Sequence, residues 1–261
     1  MPSSAEHRHS VDLNSDLGES YGAYRIGADE ELFALISSAN VACGFHGGDP
    51  RVIERTVAAA EAHGVAVGAH PGFLDLAGFG RRAIAATPDE VRTDTLYQLG
   101  ALDAFCRVAG VRLQHVKAHG ALYNVAVANP AIAGAIAAAV RAYDPSLIFL
   151  GQPGTALLAA GEAAGLPIAR EGFADRAYNA DGTLVSRQLP GAVITDPEEA
   201  AARMVRLVTE GRLTTIDRQE LRLEVDSICI HSDTPTAAAI ATEIRRQFAA
   251  AGITVRSLRD R

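Results

Sequence analysis

The chain has 261 residues, 48% hydrophobic and 21% charged, with a formal net charge of −7. This is the composition of a globular protein of one large or two small domains, and it excludes disordered and collagen-like architectures. Basic runs are limited to Arg81-Arg82 and Arg245-Arg246, which disfavours nucleic-acid binding, and the longest apolar stretch, near 131–140, falls short of the roughly 18–20 residues of a membrane span.

Residues 1–10 are polar, lack the apolar core of a secretory signal and are expected to form a flexible tail. A strand at 10–17 precedes a helix at 29–38 and a strand at 39–45. The next helix, 49–63, stops at Gly64, and a strand follows at 65–69. Thr87-Pro88-Asp89-Glu90 carries the cap, proline and acidic first turn of a helix over 87–109. Then come a strand at 113–118, a helix at 130–143, a strand at 147–151, a helix at 155–164 and a strand at 167–173. A helix at 196–210, a strand at 227–231, a helix at 236–251 and a strand at 253–258 complete the chain. This alternation predicts a single α/β domain over 11–261, a TIM-like (β/α) barrel of seven to eight strands, with a doubly wound open sheet as the competitor. Polar residues gather near the C-terminal ends of strand after strand, where barrel active sites are built, and this favours the barrel.

Asp12, Asn14 and Asp16 alternate with apolar or small residues and therefore share one face of a strand. The same spacing opens a calcium loop, but Leu17 and Ala23 stand where that loop needs glycine and glutamate. His46 sits in a glycine-rich turn after its strand, and His70 ends the next one. The stretch from Gly78 to Ala83 resembles a dinucleotide fingerprint, but it neither follows a strand nor opens a helix, so Arg81 and Arg82 are read either as carboxylate or phosphate binders or as a cap on the barrel mouth. The densest segment is His115 to Asn124, with Lys117, His119, Tyr123 and Asn124. Lys117 is the single lysine among 24 basic residues. It is expected to act as a charge clamp for an anion or, if desolvation lowers its pKa, as an acid/base group. Glu171, Asp175 and Arg176 lie on one long loop, and His231 and Asp233 close the set. Asp12, His46, His70, Lys117, His119 and Glu171 are the candidate catalytic residues. Asn14, Asp16, Arg81, Arg82, Tyr123, Asn124, Asp175, Arg176, His231 and Asp233 are the candidate substrate-binding residues.

The motifs DLNSDLGE (12–19), ANVACGFHGGDP (39–50), GAHPGFLDLAGFGRR (68–82), HVKAHGALYN (115–124), EGFADRAY (171–178) and HSDTP (231–235) resemble, in this order, the LamB/YcsF family of 5-oxoprolinase components. The resemblance implies a barrel of the glycoside hydrolase/deacetylase type. It also implies ATP-dependent cleavage of 5-oxo-L-proline to L-glutamate, with ADP and phosphate released, in partnership with 5-oxoprolinase subunits B and C. No G-x-x-x-x-G-K-[ST] phosphate cradle is present, so ATP is expected to be handled together with the partners. One alternative is a stand-alone amide hydrolase or deacetylase using a divalent metal held by Asp12 or Asp16, His46 and His70. The other is a non-catalytic protein that only binds a carboxylate. Three cysteines are too few and too odd in number for a disulfide framework, and a cytoplasmic location is expected.

Overall fold

The computed structural model describes residues 9–260, so most of the expected N-terminal tail lies outside the described residues. The chain alternates β1 (Ser10–Leu17), α1 (Asp29–Leu32), β2 (Ser38–Ala42), α2 (Pro50–His63), β3 (Ala66–His70), α3 (Pro88–Val108) and β4 (Leu113–Val116). It continues with α4 (Gly120–Ala128), α5 (Pro130–Tyr143), β5 (Ile148–Gly151), α6 (Ala156–Ala163), β6 (Ile168–Phe173) and α7 (Pro197–Glu210). A hairpin of β7 (Arg212–Thr214) and β8 (Glu220–Arg222) precedes β9 (Ser227–His231), α8 (Ala237–Ala250) and β10 (Thr254–Val255). Seven parallel strands close a ring in the order β1-β2-β3-β4-β5-β6-β9, with β9 pairing back onto β1. The last strand, β10, is an eighth parallel strand laid beside the start of β1, Ser10 opposite Thr254. The barrel, not the open sheet, is the architecture.

Local signals place the helices. Thr87 and Glu90 form a reciprocal capping box at the start of α3, Asn129 and Asp196 cap α5 and α7 with their side chains, and Gly64 ends α2 at φ 66°. Each helix lays an apolar stripe on the ring, as Ala200, Ala201, Met204 and Leu207 do along α7. Among the described residues no single helix is long and apolar enough to cross a membrane.

Three expectations change. The helix at 29–38 contracts to α1, because Ser37 and Ser38 are drawn to Asp12, each donating its hydroxyl to Oδ1 at 2.7 and 2.6 Å, and Ser38 begins β2. Helix α4 starts directly at Gly120, beyond His119, where no side-chain cap announces it. The β7–β8 hairpin also went unpredicted.

The ring's interior is polar rather than packed with branched aliphatics. At its floor Asp12 accepts hydrogen bonds from Ser37, Ser38 and Ser227. Above it Asn14 donates to Ser227 Oγ at 2.7 Å, and Asn40 donates to Asn14 Oδ1 at 2.7 Å and to Asp16 Oδ1 at 2.8 Å. His115 Nε2 bonds Asn40 Oδ1 at 2.7 Å; burial pushes this imidazole down to about 3, so it is neutral and donates. A register shift between Val67 and Gly68 sets Gly68 opposite His115, and a Cβ on Gly68 would lie 2.1 Å from the imidazole. Replacing Gly68 with alanine should therefore cost about 1–3 kcal/mol, whereas Gly100→Ala on the open face of α3 should add about 0.5–1 kcal/mol. Urea unfolding of the two variants checks this, and equal stabilities would mean the interior is loosely packed.

Candidate active site

At the upper end of the column the Lys117 ammonium lies 2.8 Å from Asp16 Oδ1, 2.9 Å from Glu171 Oε1 and 3.0 Å from Cys229 Sγ, with the Phe173 ring centroid 5.6 Å away. Burial alone would lower the lysine pKa, but Asp16, Cys229 and Glu171 hold it well above its ordinary value. Of the two roles expected for Lys117, these contacts favour the charged amine held between carboxylates over the acid/base group with a lowered pKa. Asp16 is the reciprocal case, since burial would raise its pKa but His70 and Lys117 hold it well below the usual carboxylate range.

Beyond Asp16, Gly18 turns the chain at φ 69° and swings Glu19 back over the barrel mouth. Glu19 Oε1 lies 3.2 Å from His46 Nε2, 3.2 Å from His119 Nδ1 and 4.0 Å from His70 Nε2. Burial opposes ionisation of Glu19, yet the imidazoles of His119 and His46 beside it keep its carboxyl well below the usual range. His46 and His119 stack face to face, centroids 3.6 Å apart, while burial and the neighbouring His119 push His46 down to about 3. Gly80 covers the pair: at φ 61°, a Cβ there would come within 2.7 Å of the His119 imidazole and of the His46 Cβ. Across the mouth His231 bonds Asp175 through Nδ1 at 2.8 Å and stacks on Phe173. Burial would raise the Asp175 pKa, but His231 and Thr234 lower it.

Asp16, His70, Arg81, Lys117, His119, Tyr123, Asn124, Arg176 and His231 line one cavity of about 650 Å³, joined by Gln152, Phe173 and Arg187. Other expected residues stand behind its wall. His46 backs His119, Glu171 and Asn14 back Lys117, and Asp175 holds His231. Asp233 lies at the rim, paired with Arg81 at 2.7 Å.

Two expected residues are placed elsewhere. Asp12 is four residues below Asp16, about 13 Å along the strand, and its carboxylate serves the barrel floor. A metal set of Asp12, His46 and His70 is therefore not assembled. Arg82 turns away from the cavity to pair with the buried Asp75 of its own loop. Among the described residues, the groups with donor atoms close enough to hold a metal ion are Glu19, His46, His70 and His119, and, separately, Asp16, Cys229 and His231, within 4.8 Å in each set.

Residues 11–261 match the model of the LamB/YcsF family. The chain belongs to that family. Proteins named as the A component of 5-oxoprolinase, from Symbiobacterium thermophilum and Methylococcus capsulatus, are 56% and 54% identical to it, over 94% and 95% of this chain and the same shares of their own. The crystal structure of a lactam utilization protein from Thermus thermophilus superposes with a TM-score of 0.91 at 51% identity, covering 95% of this chain and 99% of that one.

For this LamB/YcsF chain the main residues missing from the sequence-based site are Glu19 and Cys229. Glu19 follows a strand-end glycine, and that Gly18-Glu19 pair was the available signal; Cys229 looked like one more apolar residue of its strand.

Two outcomes test this electrostatic arrangement. Lys117→Met leaves Asp16 and Glu171 buried without their counter-charge and should lose about 3–5 kcal/mol, while adding Glu171→Gln should recover part of it. Unfolding free energies decide, and a fully stable Lys117→Met would remove the clamp from the account. Asp29, which accepts the Gly18 N–H at 2.8 Å, is pushed up from 3.8 to about 6 by burial, opposed by that bond and reinforced by Glu19. Its native pKa exceeds the unfolded one, so its contribution is complete below pH 3.8 and fades as pH rises to about 6, a slope worth about 3 kcal/mol that Asp29→Asn should flatten.

Proposed function

We propose that this chain is the A component of an ATP-dependent 5-oxoprolinase, opening 5-oxo-L-proline to L-glutamate together with subunits B and C. The observation that carries the reading is the cavity: buried carboxylate and imidazole groups at its base, and the guanidinium groups of Arg81, Arg176 and Arg187 around it. That polarity suits a small cyclic amide bearing a carboxylate, the substrate named by the relatives.

An unstrained five-membered lactam needs activation before water opens it near neutral pH. In this scheme the ATP γ-phosphoryl group is transferred to the lactam oxygen with the partners' participation. One water adds to the activated carbon, the carbon–nitrogen bond breaks, and the ring nitrogen takes a proton to become the amine. A second water releases phosphate. The arginines receive the substrate carboxylate, because the Lys117 charge is already taken up by Asp16 and Glu171. With no ion bound, His70 is the general base, since its Nδ1 is engaged by the Lys117 carbonyl at 2.7 Å, leaving Nε2 for water. His119 Nδ1 stands 3.0 Å from that nitrogen as the second proton carrier. With a divalent ion held by Glu19, His70 and His119, those two nitrogens would be ligands instead of proton carriers, and the ion would lower the pKa of an attacking water and polarise a carbonyl.

The imidazole cluster also supports a second reading, a stand-alone metal-dependent amide hydrolase, whose mark would be chelator-sensitive cleavage of simple amides without ATP. When this chain is reconstituted with both partners, glutamate formation should require it. Arg187→Ala should raise KM for 5-oxoproline about tenfold or more with a smaller change in kcat, while His70→Ala should lower kcat by about 10²–10⁴. Unchanged turnover in both variants would leave a non-catalytic binding role, and ATP-independent hydrolysis by the chain alone would overturn the scheme.

A further inference from the structure

We propose that Glu19, His70 and His119 form a binding site for a single divalent transition-metal ion of the zinc class, with His46 positioning the glutamate. Hydrogen-bond accounting carries the inference. His70 Nδ1 lies 2.7 Å from the Lys117 carbonyl oxygen and His119 Nε2 lies 2.8 Å from that of Phe79. Carbonyl oxygens only accept, so both of these nitrogens carry hydrogen. A neutral imidazole has one N–H. The remaining nitrogens, His70 Nε2 and His119 Nδ1, therefore present two lone pairs to each other at 3.0 Å, a separation that repels unless a cation lies between them.

Glu19 adds a third acceptor to the same point. The donor triangle has edges of 3.0, 3.2 and 4.0 Å, which bracket the roughly 3.4 Å expected between tetrahedral ligands at bonds of about 2.0–2.1 Å. The three residues are buried, at 2, 1 and 4% exposure, so water does little to relieve the clash. His46 cannot join them, since its ring is parallel to that of His119 within 1° and 3.6 Å away, and two in-plane lone pairs so stacked do not meet at one ion. It instead donates Nε2–H to Glu19 Oε1 at 3.2 Å, fixing the carboxylate. Only His70 and His119 of the triad reach the cavity, which leaves the fourth coordination position facing it, as in sites that hold a reactive water. Two imidazoles and one carboxylate select zinc, cobalt, iron or manganese over magnesium or calcium.

The competing resident of the gap is a proton, which would make one of the two rings an imidazolium. The full chain, stripped with a chelator and dialysed, should take up one equivalent of Zn²⁺ in calorimetric titration, and Co²⁺ should give the visible bands of a four- or five-coordinate ion. Affinity should fall by more than about 100-fold in His70→Ala, His119→Ala and Glu19→Gln, by about tenfold in His46→Gln, and not at all in His63→Ala on the surface of α2. Histidine ¹⁵N spectra of the unsubstituted chain stand in for any variant that fails to fold: metal should shift His70 Nε2 and His119 Nδ1 while both partner nitrogens stay protonated. No saturable uptake, uptake indifferent to these residues, or an imidazolium that persists beside one equivalent of Zn²⁺ would overturn the site. The inference assumes nothing about substrate, so metal uptake without 5-oxoproline turnover would count against the lactam reading alone.

Discussion

Four strands meet at the Lys117 ammonium, which follows β4 and touches Asp16 from β1, Glu171 from β6 and Cys229 from β9. Its three N–H donors find three acceptors, a geometry that a planar guanidinium with five donors does not reproduce. In a chain that otherwise uses arginine for positive charge, this explains why one lysine persists. Desolvating a cation and two carboxylates is costly, and the contacts among them offset that cost only while every member is present. The clamp is therefore a condition for the polar interior, and the interior is a condition for the arrangement above it.

Above the clamp the mouth is divided by chemistry. On one side Glu19, His46, His70 and His119 form a buried set whose ring orientations are fixed by backbone carbonyls and by stacking. Around the opening, arginines face a cavity large enough for a substrate larger than the lactam ring. Guanidinium charge lies around the opening, partly paired as in Arg81–Asp233, while the imidazole nitrogens are kept deeper, where water is scarce and electrostatic contacts are strong.

The sequence disclosed those parts whose cause is local. Alternation placed Asp12, Asn14 and Asp16 on one face of β1, and cap residues such as Thr87, Asn129 and Asp196 marked where helices begin. It could not rank Asp12 against Asp16, because both obey the same two-residue period and only strand register puts one on the floor and the other at the mouth. Arg81 and Arg82 are adjacent and chemically alike, yet one meets Asp233 across the opening and the other meets Asp75 within its own loop. Glu19 escaped notice since the turn at Gly18 breaks the pattern that made its neighbours visible. In each case the deciding contact joins distant segments.

Ring closure by β9 against β1 pairs Asp16 with His231, residues 215 positions apart, and β10 then lies beside Ser10. During synthesis β1 must wait for nearly the whole chain before its second neighbour exists. An emerging chain can pair β1 through β6, but it leaves Lys117 without the Cys229 contact, Asp175 without His231, and Arg81 without Asp233. Assembly of the mouth is thereby tied to the end of translation: a truncated product carries most of the ring but an incomplete site.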